Sequence, residues 1–333
     1  MSPQSASCPT CGKTYGPGAR FCPLDGAALS PKPSFGTDDP YLGQTLAGQF
    51  QILDLIGQGS TGRVYRAHDA AAHRDVAIKI LHRELLKSRA IVTRFLREAK
   101  LASRLQHPNL IEILTAGELL AEAPNDGGEA YVVTEYLPGR TLRAALATQQ
   151  RALPLPRALH IILQICDAVG EAHEKQVIHR DLKPENILLV QRGFDQDFVK
   201  VLDFGTARLD LSDATVLTQK GAVLGTARYA SPECARGQKV TAASDVYSLA
   251  TLLYECLSGS PPFDGKNPVT VLLQHMQETP KPLLTWEQAS YVPQPIADIV
   301  HANLAKTPDQ RCQNARAFKV ALQEAAQTSR IGL

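Results

Sequence analysis

HRDLKPEN occupies residues 179–186, and DFG follows at 203–205. Together they place an acid, an amide and a second acid in the spacing needed to hold metal-bound phosphate. Asp181 is suited to accept a hydroxyl proton, whereas Asn186 and Asp203 are hard oxygen ligands of the kind Mg²⁺ takes. DFG alone arises often by chance; an eight-residue run followed by it in this order does not. Such a site demands further parts, namely a cradle for phosphate oxygens, a cation over them and a lobe to carry both.

The bulk numbers leave room for those parts. At 333 residues the chain accommodates one large two-lobed unit and a small extra module. A net charge of +2 gives no reason to expect nucleic acid or an anionic membrane as principal partner. No apolar run approaches the ~20 residues of a membrane span. The start, MSPQSASCPTCG, lacks the charged and apolar regions of a signal peptide. A cytoplasmic, reducing setting is the expectation, and seven Cys, an odd number, suit it better than a disulfide framework.

Composition divides the chain into a Cys-rich module at 1–30, a linker at 31–45 and a globular unit at 46–325. Alternating apolar residues predict strands at 50–56, 63–68 and 75–81, then at 110–118 and 130–136. Helical spacing predicts a helix over 91–105. Beyond Gly139 the pattern is mostly helical. Ile162, Ile165, Val169 and Ala172 mark one helix face, and 245–257 is apolar nearly all round, as a buried central helix would be. The expected fold class is α+β, with a β-rich N-lobe at about 46–137 and an α-rich C-lobe at about 138–325.

GQGSTGRV at 57–64 supplies Gly57, Gly59 and Gly62, residues that let backbone approach phosphate oxygens closely. A dinucleotide-binding fold uses similar spacing, but there a helix opens at the third glycine. Here Val64 and its successors continue as a strand. VAIK at 76–79 places Lys79, a compact cation, on a β-branched run. Glu98 on the following helix is the expected partner that would fix the ammonium; Glu84 competes but follows the strand too closely.

These motifs, with SPE at 231–233 as a modified APE, stand in the order found in protein kinases. From about residue 50 to 325 the chain resembles the eukaryotic-type kinases that bacteria carry. The resemblance implies a bilobal protein-kinase-like fold with ATP and Mg²⁺ between the lobes. It implies Asp181 as base, Asn186 and Asp203 as Mg²⁺ ligands, and Lys79 with Glu98 on the ATP phosphates. Lys183 matches the lysine steadying the transferring group, and Thr226 the threonine lining the hydroxyl pocket; both imply protein substrates bearing Ser or Thr. Glu135 and Leu137 match the hinge that bonds adenine, with Thr134 at the back of the pocket. Ile56, Val64, Ala77 and Leu188 match apolar positions around the nucleotide. Glu233 with Arg311 resembles a buried ion pair, and Asp245 an anchor under the catalytic loop. Arg180 matches an arginine that receives an activation-loop phosphate, with Thr218 as acceptor by its spacing and Thr215 or Ser212 as alternatives. Lys220 stands where a second acceptor often lies.

Cys8, Cys11 and Cys22, with Asp25 in the fourth place, resemble the two knuckles of a zinc ribbon that could hold structural Zn²⁺. Water, a His elsewhere or another chain are alternatives for the fourth ligand. A metal-free tail and a redox CxxC are alternatives for the whole segment. Its expected role is structural or partner-binding. Two other functions compete with an active kinase: a silent kinase-fold scaffold, disfavoured by Lys79, Asp181, Asn186 and Asp203, and a small-molecule phosphotransferase, disfavoured by the 206–233 segment.

Overall fold

The computed structural model describes residues 39–119, 128–148, 152–204 and 227–332. It also gives the backbone of three short strands, Ala6–Ser7, Thr14–Tyr15 and Ser30–Pro31, paired antiparallel with the first in the middle. Among the described residues no helix is long and apolar enough to cross a membrane.

The first lobe is a six-stranded antiparallel sheet with one long helix, preceded by the single turn Arg83–Leu86. Its elements are β1 (Thr45–Leu46), β2 (Phe50–Gln58), β3 (Gly62–Asp69), β4 (Arg74–Leu81), α1 (Arg89–Ala102), β5 (Ile113–Leu119) and β6 (Glu129–Glu135). The strand order is β1-β2-β3-β4-β6-β5. Period-two alternation is clean on β4, where Val76, Ile78 and Ile80 are buried while Ala77 and Lys79 occupy the other, half-open face. Helix α1 buries Ile91, Val92, Phe95 and Ala99 on one stripe.

The chain ahead of the sheet is tied to it from Asp39 onward. Tyr65 is fully buried, and its hydroxyl donates to the Asp39 carboxylate (2.9 Å), which also accepts from Arg63 Nη1 (2.9 Å). Asp39 thus satisfies a phenol that packing closes off from water. β5 starts at Ile113 rather than at 110 because the preceding residues cross to the other lobe. There Val201 N donates to Asn109 O (2.8 Å) and Ile111 N to Val201 O (3.0 Å).

The second lobe comprises β7 (Gly139–Thr141), α2 (Leu142–Thr148), α3 (Leu155–Glu174), β8 (Ile187–Arg192), β9 (Asp195–Val201), α4 (Ala242–Ser258), α5 (Pro268–Gln277), α6 (Gln294–Asn303) and α7 (Ala315–Thr328). Every residue of α4 from Ala243 to Ser258 is buried, and the largest apolar cluster forms around it and α3. The sequence predicts a mostly helical lobe and marks no strands in it, yet β7, β8 and β9 form a small antiparallel sheet. ILLV at 187–190 is too short an apolar run for periodicity to distinguish strand from buried helix.

The lobe is locked by Glu233 and Arg311. Both guanidinium Nη atoms donate to the carboxylate at 2.9 Å, and neither side chain has more than 4% exposure. Ser244 Oγ donates to Glu233 as well (2.5 Å).

Beside this pair lies Lys306, whose buried Nζ has no hydrogen-bond partner among the described residues and sits 4.6 Å from the Phe263 ring centre. Burial, then the nearby Arg311 and Arg236 charges, push its pKa down to about 8. Below that value the folded state holds a disfavoured ammonium, so wild-type stability rises with pH between about 8 and about 10.4. Lys306→Met should therefore raise stability by about 1 kcal/mol at pH 7, the ring contact offsetting part of the gain. The advantage should shrink above pH 8, a trend that denaturant titrations at several pH values would show.

Candidate active site

Asp245, at the start of α4, organises the loop at 179–186. Its carboxylate accepts from His179 N (2.8 Å), Arg180 N (2.9 Å) and His173 Nε2 (2.9 Å). These bonds hold Arg180 at φ +70°, a left-handed backbone that an L residue adopts only under constraint, and leave its side chain exposed. His179 is spent on structure. Its Nδ1 accepts from Asp181 N (3.3 Å), its Nε2 donates to Leu202 O (2.9 Å), and burial depresses its pKa. The ring also packs edge-on against Phe204, with centroids 4.5 Å apart.

On this support Asp181 meets Lys183 and Asn186. Lys183 Nζ donates to Asp181 Oδ2 (2.6 Å), and Asn186 Nδ2 donates to Asp181 O (2.8 Å) and Oδ2 (3.1 Å). With its N–H groups so engaged, the Asn186 amide presents its oxygen as a ligand.

Strand pairing brings Asp203 to the same place. Ile187 pairs with Val201, and Leu202 N donates to Asn186 O (2.9 Å), so the residues flanking the two strands lie side by side. Asp203 takes φ +52° and accepts from Lys79 Nζ at 2.8 Å, across the two lobes. Desolvation works to raise the Asp203 pKa, but the Lys79 charge and hydrogen bond outweigh it and hold the carboxyl below its usual range. Two oxygen donors, one an assured carboxylate, next to a lysine suit a hard divalent cation with phosphate.

None of the apolar residues expected around the nucleotide is fully buried. Val64, Ala77, Leu137 and Leu188 are half-buried and Ile56 is exposed, whereas Tyr65, Val76, Ile78 and Leu189 beside three of them belong to the core. Ala77 pairs with Thr134 across β4 and β6, and Leu188 pairs with Lys200, whose Nζ reaches Glu135 Oε1 (2.7 Å). Paired residues share a sheet face, so these side chains converge on the strip that ends at Glu135.

The glycines divide by physical role. A Cβ on Gly62 would lie 2.1 Å from Ile80 O, whereas one on Gly59 meets nothing nearer than 4.0 Å. Gly62 is thus required by the close β3–β4 pairing, and Gly59 is free to serve a ligand. Gly62→Ala should lower stability by about 1–3 kcal/mol, with Gly59→Ala close to wild type in thermal denaturation.

Glu98, the expected partner of Lys79, is half-buried on α1. Thr218, Thr215, Ser212, Thr226, Cys8, Cys11, Cys22 and Asp25 lie outside the described residues.

Residues 50–323 match the family model for the protein kinase domain. The chain is a member of the protein kinase family. It is 42% identical over 279 residues to the serine/threonine-protein kinase PknB of Mycolicibacterium smegmatis, covering 84% of this chain and 43% of that protein. It is 37% identical to PrkC of Bacillus subtilis, covering 87% of this chain and 42% of the relative, so it spans less than half the length of both. Among solved structures it resembles the Mycobacterium tuberculosis PknI kinase domain, with TM-score 0.66 and 25% identity over 85% of this chain and 98% of that one. Rad53 residues 1–466 in complex with AMP-PNP give TM-score 0.64 at 25% identity, over 82% and 65% of the chains.

The kinase fold also assembles contacts that motif reading passed over. His82 Nε2 donates to Gly59 O (2.8 Å), tethering the glycine loop. Arg143 gathers Glu185, Glu255 and Tyr229 beside the catalytic loop. Glu185 was visible inside KPEN, but nothing in the sequence joins it to residues 42 and 70 positions away.

Proposed function

We propose that this chain is a serine/threonine protein kinase that moves the γ-phosphoryl group of ATP to Ser or Thr hydroxyls of proteins in cytoplasmic signalling. The observation that carries the reading is the cluster of Lys183 and Asn186 on the Asp181 carboxylate, next to Asp203 in strand register. Asp181 takes the proton of the acceptor hydroxyl as its oxygen forms the new bond to phosphorus and ADP departs. Lys183 steadies the transferring group, Lys79 with its partner Glu98 bears on the remaining phosphates, and Asn186 with Asp203 would hold Mg²⁺. That ion, when bound, neutralises charge on the phosphate oxygens. The AMP-PNP bound by Rad53 supports adenine nucleotide in this cleft, between the apolar residues Ile56, Val64, Ala77 and Leu188, with Thr134, Glu135 and Leu137 at the hinge.

The test is transfer of label from ATP, with and without Mg²⁺, onto this chain and onto a generic protein substrate. The wild type should transfer and Asp203→Asn should not. Mapping the product should find phosphate on Thr218, with Thr215 or Ser212 as the next sites; the exposure of the Arg180 side chain supports its role as the receiver. Absence of label on any residue of either protein would overturn the reading.

For the N-terminal segment we propose a zinc site of Cys8, Cys11 and Cys22 with Asp25, serving a protein partner. The CPxCG spacing of Cys8 and Cys11, read from the sequence, supports both thiolates on one metal. Zinc released from purified protein by thiol modification, one ion per chain, is the expected result.

A further inference from the structure

We propose that Arg143 closes an acidic subsite beside the phosphoacceptor, making this enzyme indifferent to basic residues in its substrates; the inference rests on the protein-kinase reading. Glu185 belongs to the 3₁₀ turn Pro184–Asn186, between the Asp181 partners Lys183 and Asn186. A carboxylate so placed lies within reach of side chains flanking a bound Ser or Thr. Glu255, from α4, faces the same point.

The guanidinium of Arg143 lies between the two acids. Its Nε donates to Glu185 Oε1 (2.8 Å), its Nη1 to Glu255 Oε1 (2.7 Å) and its Nη2 to the Tyr229 hydroxyl (2.6 Å). Tyr229 in turn donates to Glu255. Desolvation lowers the Arg143 pKa, but Tyr229 and the two glutamates outweigh it, so the cation is secure. Glu255 is 5% exposed, whereas Arg143 and Glu185 are 34% and 41% exposed, so the cluster opens to the surface at their end.

This arrangement is what two carboxylates would make with the guanidinium of an incoming peptide, except that the cation comes from the chain itself. Glu185 Oε2 is closed to solvent and has no hydrogen-bond partner among the described residues. No substrate cation can reach it while Arg143 is in place. Removing Arg143 changes the local charge from −1 to −2 and uncovers both acids. Arg143→Met retains much of the packing stem while deleting the charge. The pocket should then select arginine.

The experiment compares kcat/KM for paired Ser peptides carrying Arg or Ala at each position within five residues of the acceptor. For the wild type the Arg/Ala ratio should stay near one throughout. For Arg143→Met it should rise about tenfold or more at one position. Adding Glu185→Gln to that variant should return the ratio toward one, a reversal that a merely structural bolt would not show. Arg143→Lys, which keeps a cation with fewer donors, should lie between.

A ratio in Arg143→Met equal to that of the wild type, whether activity falls or not, overturns the proposal. So does a strong wild-type preference for Arg, or failure of both variants to fold. If the wild type phosphorylates no protein or peptide at all, the kinase reading itself fails, and that outcome is distinct from a flat ratio in an active enzyme.

Discussion

Asp181→Asn is expected to slow phosphoryl transfer by roughly 10³-fold, with ATP affinity changed by no more than a few-fold. A positioned general base supplies about 10²–10⁴ in rate, and the asparagine amide cannot take the hydroxyl proton. A second loss adds to the first. Asp181 Oδ2 accepts from both Lys183 Nζ (2.6 Å) and Asn186 Nδ2 (3.1 Å). A neutral amide offers one oxygen to these donors and turns N–H toward them in its other orientation. Lys183 and the Asn186 ligand would therefore shift as well. Single-turnover transfer of label separates this chemical step from nucleotide binding, which a fluorescent ATP analogue reports. A fall of less than tenfold would move the base to another residue.

Arg311→Met should cost about 3–5 kcal/mol of stability, the largest effect expected away from the catalytic loop. The methionine removes both bonds to Glu233 and leaves a carboxylate with 4% exposure uncompensated. It also strips donors from the backbone oxygens of Ala243 and Ala305. pH gives the signature. In the wild type, desolvation raises the Glu233 pKa, but the Arg311 and Ser244 hydrogen bonds and the Arg311 charge bring it below its ordinary value. That contribution is present above about pH 4.3 and is lost as pH falls through the lowered value. In Arg311→Met desolvation wins, the Glu233 pKa rises, and the native state binds the extra proton. The stability gap between the two proteins should narrow as pH falls from 7 toward 5. Guanidinium titrations at both pH values measure it, and Glu233→Gln added to Arg311→Met should recover part of the loss. An unchanged gap would mean that the lost carbonyl contacts, rather than the stranded charge, dominate.

The strands of the first lobe were legible because each has one buried face, so the period of two appears directly in the sequence, as on β4. The central helix was legible for the opposite reason, being buried on all sides. The β7-β8-β9 sheet was not. Its residues sit against α3 and the catalytic loop, and a short apolar run buried by neighbours distant in sequence carries no period of its own. The site divides similarly. Residues proposed to act through intrinsic chemistry, such as Asp181, Asn186, Asp203 and Lys79, declared themselves by type and spacing. Residues that act by meeting a distant partner, such as Arg143, His82 and Lys200, did not.

The amino-acid order alone therefore determined the membership in the kinase family and the chemical parts available, because donors, acids and glycines at short spacing need only local chain geometry to work. Tertiary structure decided three further things. Asp203 is paired with Lys79 because two lobes meet there. Gly62 serves strand packing, since Ile80 O closes over it. The acids Glu185 and Glu255 are quenched from within, because α2, the catalytic loop and α4 converge on one guanidinium. Each is a contact between residues far apart along the chain, and such contacts exist only once the core has packed.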